Sequence, residues 1–250
     1  MNMIILTEAD LVGDNRYRLT DGRAEHIRAV LRSQAGDMIQ VGMLNGPAGQ
    51  ARVERLDDAE VVLVGEKFED IPEPNPTIDL ICALPRPQTL RKVLITSATM
   101  GIRRIHLIRA NRVEKSYFHS PLLAPDKWTP YLIEGLSQGK LTRLPQVSVH
   151  ERFRNFFEDT FADSESNEGE PSTRLLPHPE TENAIHRIYD GKSPRLVLAV
   201  GPEGGWVPFE IEMMTSLGFK PFKLGPWVLR VETAVTAALA QIELTRMQAL

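Results

Sequence analysis

Arg230 and the glycine-rich turns around it have the clearest chemical content in this chain. The first turn, Gly201-Pro202-Glu203-Gly204-Gly205, follows the apolar run Leu196 to Val200. The second, Leu224-Gly225-Pro226-Trp227-Val228-Leu229-Arg230, leads into Val231-Glu232-Thr233-Ala234 and an Ala-rich segment. A third turn, Leu176-Pro177-His178-Pro179, closes a short apolar stretch. Each reads as a strand ending in a turn. Glycine lets a ligand approach the main chain and proline fixes the local φ. Exposed N–H and C=O groups are what an adenine edge and a ribose require. In an open parallel sheet, loops at the carboxyl ends of strands line the ligand crevice. One such turn alone is a simple connection; three on consecutive strands predict a pocket built largely from backbone. Glu232 suits the positive end of a helix dipole and Thr233 can help cap that helix. Arg230 is harder to assign to packing and can face an anionic substrate.

Other chemistries lack their context. No G-x-G-x-x-G follows a strand and no G-K-[ST] occurs, which disfavours dinucleotide and P-loop binding. Gly42, Gly46 and Gly49 lead into a strand-like segment and read as a hairpin. His106, His119, His150, His178 and His186 show no metal-ligand spacing, so no metal is expected. Cys82, the single cysteine, lies in an apolar run and reads as a buried packing thiol.

These turns must be positioned by a scaffold, and the pattern changes along the chain. Residues 1–71 look β-rich, with strands near Ile39-Val41, Gln50-Leu56 and Val61-Val64 and a helix over Ala24–Leu31 started by Asp21 or Gly22. Residues 72–76 carry alternating prolines and read as a stiff linker. Residues 77–250 alternate strand and helix, which argues for a largely parallel α/β sheet. Strands are expected at Thr77–Leu84, Ile105–Ile108, Arg174–Leu176, Arg195–Val200 and Phe219–Leu224. Helices are expected at Gln88–Met100, Trp128–Gly139, Arg152–Phe161, Glu180–Tyr189, Phe209–Leu217 and Glu232–Gln248. Ser164 to Thr173 reads as a polar acidic loop.

Composition is that of an ordinary globular chain, 42% hydrophobic and 25% charged. No apolar run approaches the roughly 20 residues that span a bilayer, and the N-terminus does not read as a signal peptide, so a cytoplasmic location with no membrane is expected. The net charge of −4 argues mildly against nucleic acid, but its distribution argues the other way. Arg86, Arg91, Lys92, Arg103, Arg104, Arg109, Arg112 and Lys115 face only Glu114 in their stretch, while residues 151–182 are acidic. The basic run is either a solvated face or a surface for a polyanion.

Gly-Pro-Glu-Gly-Gly at 201–205, followed by Leu224-Gly225-x-x-Val228-Leu229-Arg230-x-Glu232-Thr233-Ala234, resembles the signature of the SPOUT methyltransferases. The similarity is strongest to the RsmE-type enzymes that methylate N3 of uracil in 16S ribosomal RNA. It reaches the N-terminal residues, where His26-Ile27-Arg28-Ala29-Val30-Leu31-Arg32 and Gly36-Asp37 resemble that family's PUA-like barrel. The resemblance implies a C-terminal α/β trefoil-knot domain, an exception to unknotted topology, behind a small N-terminal PUA-like β-barrel. It implies S-adenosylmethionine held by Leu176, Pro177 and His178, by Gly201, Pro202, Glu203, Gly204 and Gly205, and by Leu224, Gly225, Val228, Leu229 and Thr233. It implies a homodimer with the final helix near the interface, and the small ribosomal subunit as partner. Arg230 would stabilise negative charge on the uracil oxygens, and Glu203 and Glu232 would orient the base or accept its proton. RNA phosphates would meet Arg28, Arg32, Arg86, Arg103, Arg104, Arg109 and Arg112. His26 is either a packing or capping histidine or a further RNA contact. This chain departs from the family pattern at Arg86, where lysine is common, and at Thr96 and Thr99, where charged residues are common; Arg112 and Gln138 keep it. Methylation of another RNA or base, and non-catalytic RNA binding on the same fold, are the alternative functions.

Overall fold

The computed structural model describes residues 2–70, 77–169 and 171–249. The expected linker 72–76 lies outside the described residues. The chain forms two compact units, Met1–Glu73 with Ile133–Leu144, and Pro74–Leu132 with Pro145–Leu250.

The first unit contains β1 (Ile4–Leu6), β2 (Leu11–Gly13), β3 (Arg16–Leu19), α1 (Gly22–Glu25, continued by a π-helical turn His26–Val30), β4 (Met38–Met43), β5 (Ala48–Leu56) and β6 (Val61–Glu69). They build one six-stranded sheet in the order β1-β4-β5-β6-β3-β2, antiparallel except for β1 beside β4. Strand side chains alternate between faces. Ile39 and Val41 of β4, Ala51 and Val53 of β5, and Tyr17 and Leu19 of β3 therefore share one buried face with Ile27 of the α1 turn. Register shifts in the β5–β6 ladder, at Gln50/Ala51 and Val53/Arg55, curl the sheet. The result is a half-barrel with β1 and β2 as edges, not a ladder closed on itself. Asp21 caps α1, accepting from the Arg23 N–H at 2.9 Å, and the Arg23 guanidinium grips buried Asp10 with two bonds of 2.7 Å. Gly42, Gly46 and Gly49 fall in the β4–β5 hairpin, as their strand-like context predicts. Residues 133–144 belong with this unit, which the sequence does not announce. Ser137 Oγ donates to Met3 O and Thr142 Oγ1 to Gly46 O, both at 2.6 Å.

The second unit contains β7 (Thr77–Ala83), α2 (Pro87–Thr99), β8 (Arg104–Ile108), α3 (Pro125–Gly139, whose last turns belong to the first unit), β9 (Gln146–His150), α4 (Phe153–Asn155, continued by a π-helical stretch Phe156–Phe161), α5 (Ala162–Asn167), β10 (Thr173–Pro177), β11 (Arg195–Val200), α6 (Pro208–Ser216), β12 (Lys220–Phe222) and α7 (Val231–Gln248). Its sheet runs β12-β10-β11-β7-β8-β9 and every pairing is parallel. This is the mixed α/β fold with a parallel sheet that the strand–helix alternation predicts. The central strand β11 is buried at every position, because a parallel sheet is covered on both faces. Pro87 and Pro208 stand at the first positions of α2 and α6, where a missing N–H is harmless.

Two expectations fail and one strand was not expected, each for an identifiable reason. The helix expected over Glu180–Tyr189 is only a 3-10 turn, Ile185–Arg187. Ile185 and Tyr189 are buried anchors whose i, i+4 spacing imitates a helix. The main chain there is used by β12 and its flank, with Lys223 N donating to Asn183 O and His178 N to Phe222 O, both at 2.8 Å. The acidic loop expected from Ser164 is instead helical as far as Asn167. Strand β9 goes unpredicted because Gln146-Val147-Ser148-Val149-His150 is a short edge strand without a fully buried face.

Gly191 joins the 3-10 turn to β11 at φ +79°, and a Cβ there would lie 2.6 Å from Ala249 Cβ and 2.7 Å from Thr245 O. Gly191→Ala therefore meets both backbone strain and a clash with the end of α7. It is expected to lower unfolding stability by about 2–4 kcal/mol, measured by urea denaturation. A loss under about 0.5 kcal/mol would show that this junction relaxes freely.

Candidate functional site

Strands β12, β10 and β11 lie side by side and run the same way, so their carboxyl ends deliver three loops to one edge of the sheet. The loops enclose a cleft of about 710 Å³, its open mouth included. Pro177 and His178 come from the first loop; Gly201, Pro202, Glu203 and Gly205 from the second; Leu224, Gly225, Val228 and Leu229 from the third. The structure thus brings together ten of the thirteen residues named for cofactor contact. Leu176 is fully buried within β10, Gly204 is outside the lining, and Thr233 instead lines a groove between α2 and α7 with Lys92, Ile95 and Thr96. Trp206, Trp227, Val200, Val231 and Ala234 line the cleft as well and were not named. Trp206 follows the first motif and Trp227 lies within the second, and their size near glycines was the available signal.

The walls are apolar at Val200, Leu224, Leu229 and Val231, with main-chain groups and one carboxylate among them. Gly201 and Trp206 fit each other closely: a Cβ on Gly201 would stand 3.0 Å from the indole Nε1. That Nε1 is buried without a hydrogen-bond acceptor. Glu203 reaches across the edge of the sheet, and its Oε1 accepts from the Arg86 main-chain N–H at 3.2 Å, at the start of α2. Arg112 donates to Gly204 O and packs its aliphatic stem on that glycine. Its exposed guanidinium braces the Gly201–Gly205 turn with one of its donors.

Arg230 is the N-cap residue of α7, with extended backbone and an exposed side chain. Its carbonyl accepts from Ala234 N at 2.8 Å, while among the described residues its guanidinium has no hydrogen bond or ion pair. Glu232 is mostly buried and pairs with Lys92 Nζ at 3.1 Å, joining α7 to α2. Burial raises the Glu232 carboxyl, but main-chain and Lys92 hydrogen bonds outweigh it and hold the pKa below its ordinary value. Glu232 is therefore an anion engaged with Lys92, a poor position for a proton acceptor.

The basic run does not survive as one surface. Arg103 holds Asp79 through bonds of 2.9 and 2.6 Å and Glu168 at 2.8 Å, and Arg104 also pairs with Glu168. Glu165 adds pairs with Arg174 and buried Arg195. This network sits at the amino ends of the strands, opposite the cleft. Through Glu168, the acidic segment pairs with two of the eight residues of the basic run, Arg103 and Arg104, which are engaged in this network. Arg109 remains half-buried at the carboxyl end of β8, beside Phe153, Arg154 and Phe209. In the first unit Arg28 is likewise engaged, donating to Asp57 O at 2.8 Å and pairing with Glu25 at 3.1 Å. Arg32 is exposed at φ +54°, and His26 is half-buried with its carbonyl bonded to Leu31 N. Among the described residues no group of three or more His, Cys, Asp or Glu could hold a metal ion. Burial pushes the Cys82 thiol up to about 12, which leaves it inert.

A family model described as an RNA methyltransferase domain matches residues 72–243. The chain belongs to that family. Ribosomal RNA small subunit methyltransferase E of Treponema pallidum is 31% identical over 245 residues, covering 97% of this chain and 90% of the relative. The protein of the same name from Bacillus subtilis is 25% identical over 249 residues, covering 96% and 94%. The crystal structure of ribosomal RNA small subunit methyltransferase E from Neisseria gonorrhoeae bound to S-adenosyl methionine shares the fold, with a TM-score of 0.72 at 23% identity over 97% of each chain.

Hydrogen bonds from Arg103 come first among the influences on Glu168; partial burial opposes them, Arg104 reinforces them, and the carboxyl falls to about 2. A depressed carboxylate contributes stability above its unfolded pKa and loses it as pH falls through the folded value. Glu168→Gln should thus lower Tm by roughly 3 °C at pH 7, with the gap closing between pH 4.5 and 2. A gap independent of pH in scanning calorimetry would contradict the electrostatic role.

Proposed function

We propose that this chain transfers a methyl group from S-adenosylmethionine to N3 of a uridine in 16S ribosomal RNA of the small ribosomal subunit. The observation that carries this reading is the convergence of three strand-end loops on one cleft, with an unpaired arginine where the last loop enters its helix. The names of the full-length relatives and the cofactor in the Neisseria structure support it.

The residues present suit such a cofactor. Apolar walls with a few convergent polar groups are the usual lining of small-molecule sites. The buried Trp206 Nε1 without an acceptor marks the site as one with unused polar capacity. Pro177, His178, Gly201, Pro202, Gly205, Leu224, Gly225, Val228 and Leu229 would hold the cofactor. When bound, S-adenosylmethionine supplies a methyl group on a positively charged sulfur. The chain must then hold a uracil whose N3 proton passes to solvent water as the N3–methyl bond forms and the sulfur–methyl bond breaks. Arg230 stabilises the negative charge that spreads onto the ring oxygens. Glu203 holds the Arg86 end of α2 and keeps a carboxylate at the cleft for orientation. Glu232 holds Lys92 and fixes the first turn of α7, a positioning role. Catalysis on this plan rests on placement and fixed charge.

The finer architecture follows the same reading. The curled first sheet is proposed to be a PUA-like barrel that contacts RNA, with Arg32 and His26 available on one turn. The parallel second sheet is proposed to carry the trefoil knot. A homodimer is proposed through α7, whose outer face carries Ala240, Leu244 at 56% exposure and Met247 at 61%. No helix among the described residues is long and apolar enough to cross a membrane, which is compatible with cytoplasmic work on ribosomal subunits.

Arg230→Ala is expected to slow turnover about 10²–10³-fold while leaving S-adenosylmethionine affinity unchanged. The assay is formation of N3-methyluridine on small subunits from cells lacking this gene, read by mass spectrometry, with calorimetry for the cofactor. Wild-type-like turnover in the variant would remove Arg230 from the chemistry. Failure of the wild-type protein to form N3-methyluridine would overturn the function itself.

A further inference from the structure

Trp227 is 75% exposed and its neighbour Val228 is 88% exposed. Both line the cleft. The indole lies along the turn and not in the core: its Cε3 and Cζ3 stand 3.7 and 3.9 Å from where a Cβ on Gly225 would be. An aromatic face open to solvent at a cleft is a surface on which an unstacked base can lie. Three residues further on, Arg230 is exposed, with no hydrogen bond or ion pair among the described residues. Arg86 begins α2 on the other side of the cleft, joined to it through Glu203. An open π-face beside an unpaired cation suits a polyanion that presents an unstacked base.

We propose that Trp227 is the stacking platform for the target uracil. The inference rests on the methyltransferase reading and adds how the base is held. A nucleotide must leave its helical stack to reach a reactive group inside a cleft, and an aromatic face offsets the cost of unstacking. Stacking on Trp227 would leave the edge of the ring, with N3 and its flanking oxygens, free to turn into the cleft and toward Arg230. A second copy of this chain is the rival occupant. The apolar residues suited to that role, Leu244 and Met247, lie some four turns along α7, about 20–25 Å from Arg230 by helix rise. Arg230 stands three residues from Trp227 in the same turn, not with them.

The chain has three tryptophans, so 5-fluorotryptophan labelling of the full-length protein gives three fluorine resonances. Trp227→Phe assigns one of them. Titration with octauridylate should shift that resonance and leave the Trp128 resonance in place. In steady-state methylation of small subunits, Trp227→Ala should raise KM for the subunit at least about fivefold. Cofactor affinity by equilibrium dialysis should not change, and Trp227→Tyr should restore KM to within about twofold. Sedimentation should give the same mass for Trp227→Ala as for wild type. An unshifted resonance, or a KM unchanged by Trp227→Ala, overturns the proposal. A Trp227→Ala protein of lower mass, or a resonance that moves on dilution, assigns the residue to contact between copies and overturns it equally. If wild-type protein fails to methylate the subunit while octauridylate still shifts Trp227, the uridine modification is wrong and base stacking stands as RNA binding alone.

Discussion

Parallel pairing of β10 with both β11 and β12 is the constraint on which the rest of this molecule depends. Two strands that run the same way cannot be joined by a tight turn, so each needs a crossover that returns the chain to the starting edge. Every strand therefore ends on the same side of the sheet. Three loops from three neighbouring strands must converge there, whatever their side chains. Because β10 lies between β12 and β11, the His178 loop sits between the Leu224 and Gly201 loops. The hydrogen bond from His178 N to Phe222 O fastens the His178 and Leu224 loops at the point where they leave the sheet.

The two edges of this sheet are electrostatically unlike. At the amino edge, Asp79, Glu165 and Glu168 face Arg103, Arg104, Arg174 and Arg195, and the charges largely cancel. Asp79 and Arg195 are buried, so each would be costly without the others. At the carboxyl edge the cations are held differently. Arg112 spends its guanidinium on the Gly204 carbonyl, and Arg86 is bound through its main chain to Glu203. Arg230 has only its carbonyl engaged, by the α7 helix. A chain with a net charge of −4 can present a positive local field only where its acids are occupied elsewhere. The acidic segment around Glu165 and Glu168 serves that purpose at the far edge.

Much of the second unit was legible because its signals are local. Apolar runs such as Leu196–Val200 mark buried parallel strands, and their alternation with helical segments marks the α/β sheet. The three turns were legible as a group for the same reason. What was not legible depends on partners distant in sequence. Arg103 and Arg104 look free until Glu168, more than sixty residues away, is folded back against them. Ile185 and Tyr189 look helical because the main chain that β12 uses cannot be read from side-chain periodicity. Residues 133–144 look like the end of a helix and a loop, yet Ser137 and Thr142 bond to Met3 and Gly46. Within the candidate site, the residues missed were the large ones. Trp206 and Trp227 stand next to glycines whose absent side chains make room for them.

A cleft lined by glycine-rich turns constrains backbone shape as well as side-chain chemistry. The relative from Neisseria keeps the fold over 97% of both chains at 23% identity. A cleft whose polar lining is mostly N–H and C=O tolerates replacement of most of its side chains, provided glycine remains where two backbones or a ring and a backbone meet. Gly201 under Trp206 is such a position, because even a methyl group there would press on the indole. Arg230 belongs to the opposite category. Its backbone only starts a helix, which many residues can do at an N-cap, so its side chain is the part that needs a reason. The turn from Leu224 to Arg230 thus joins two kinds of constraint within seven residues: a backbone shape that any suitable turn sequence can make, and a guanidinium that only arginine can supply.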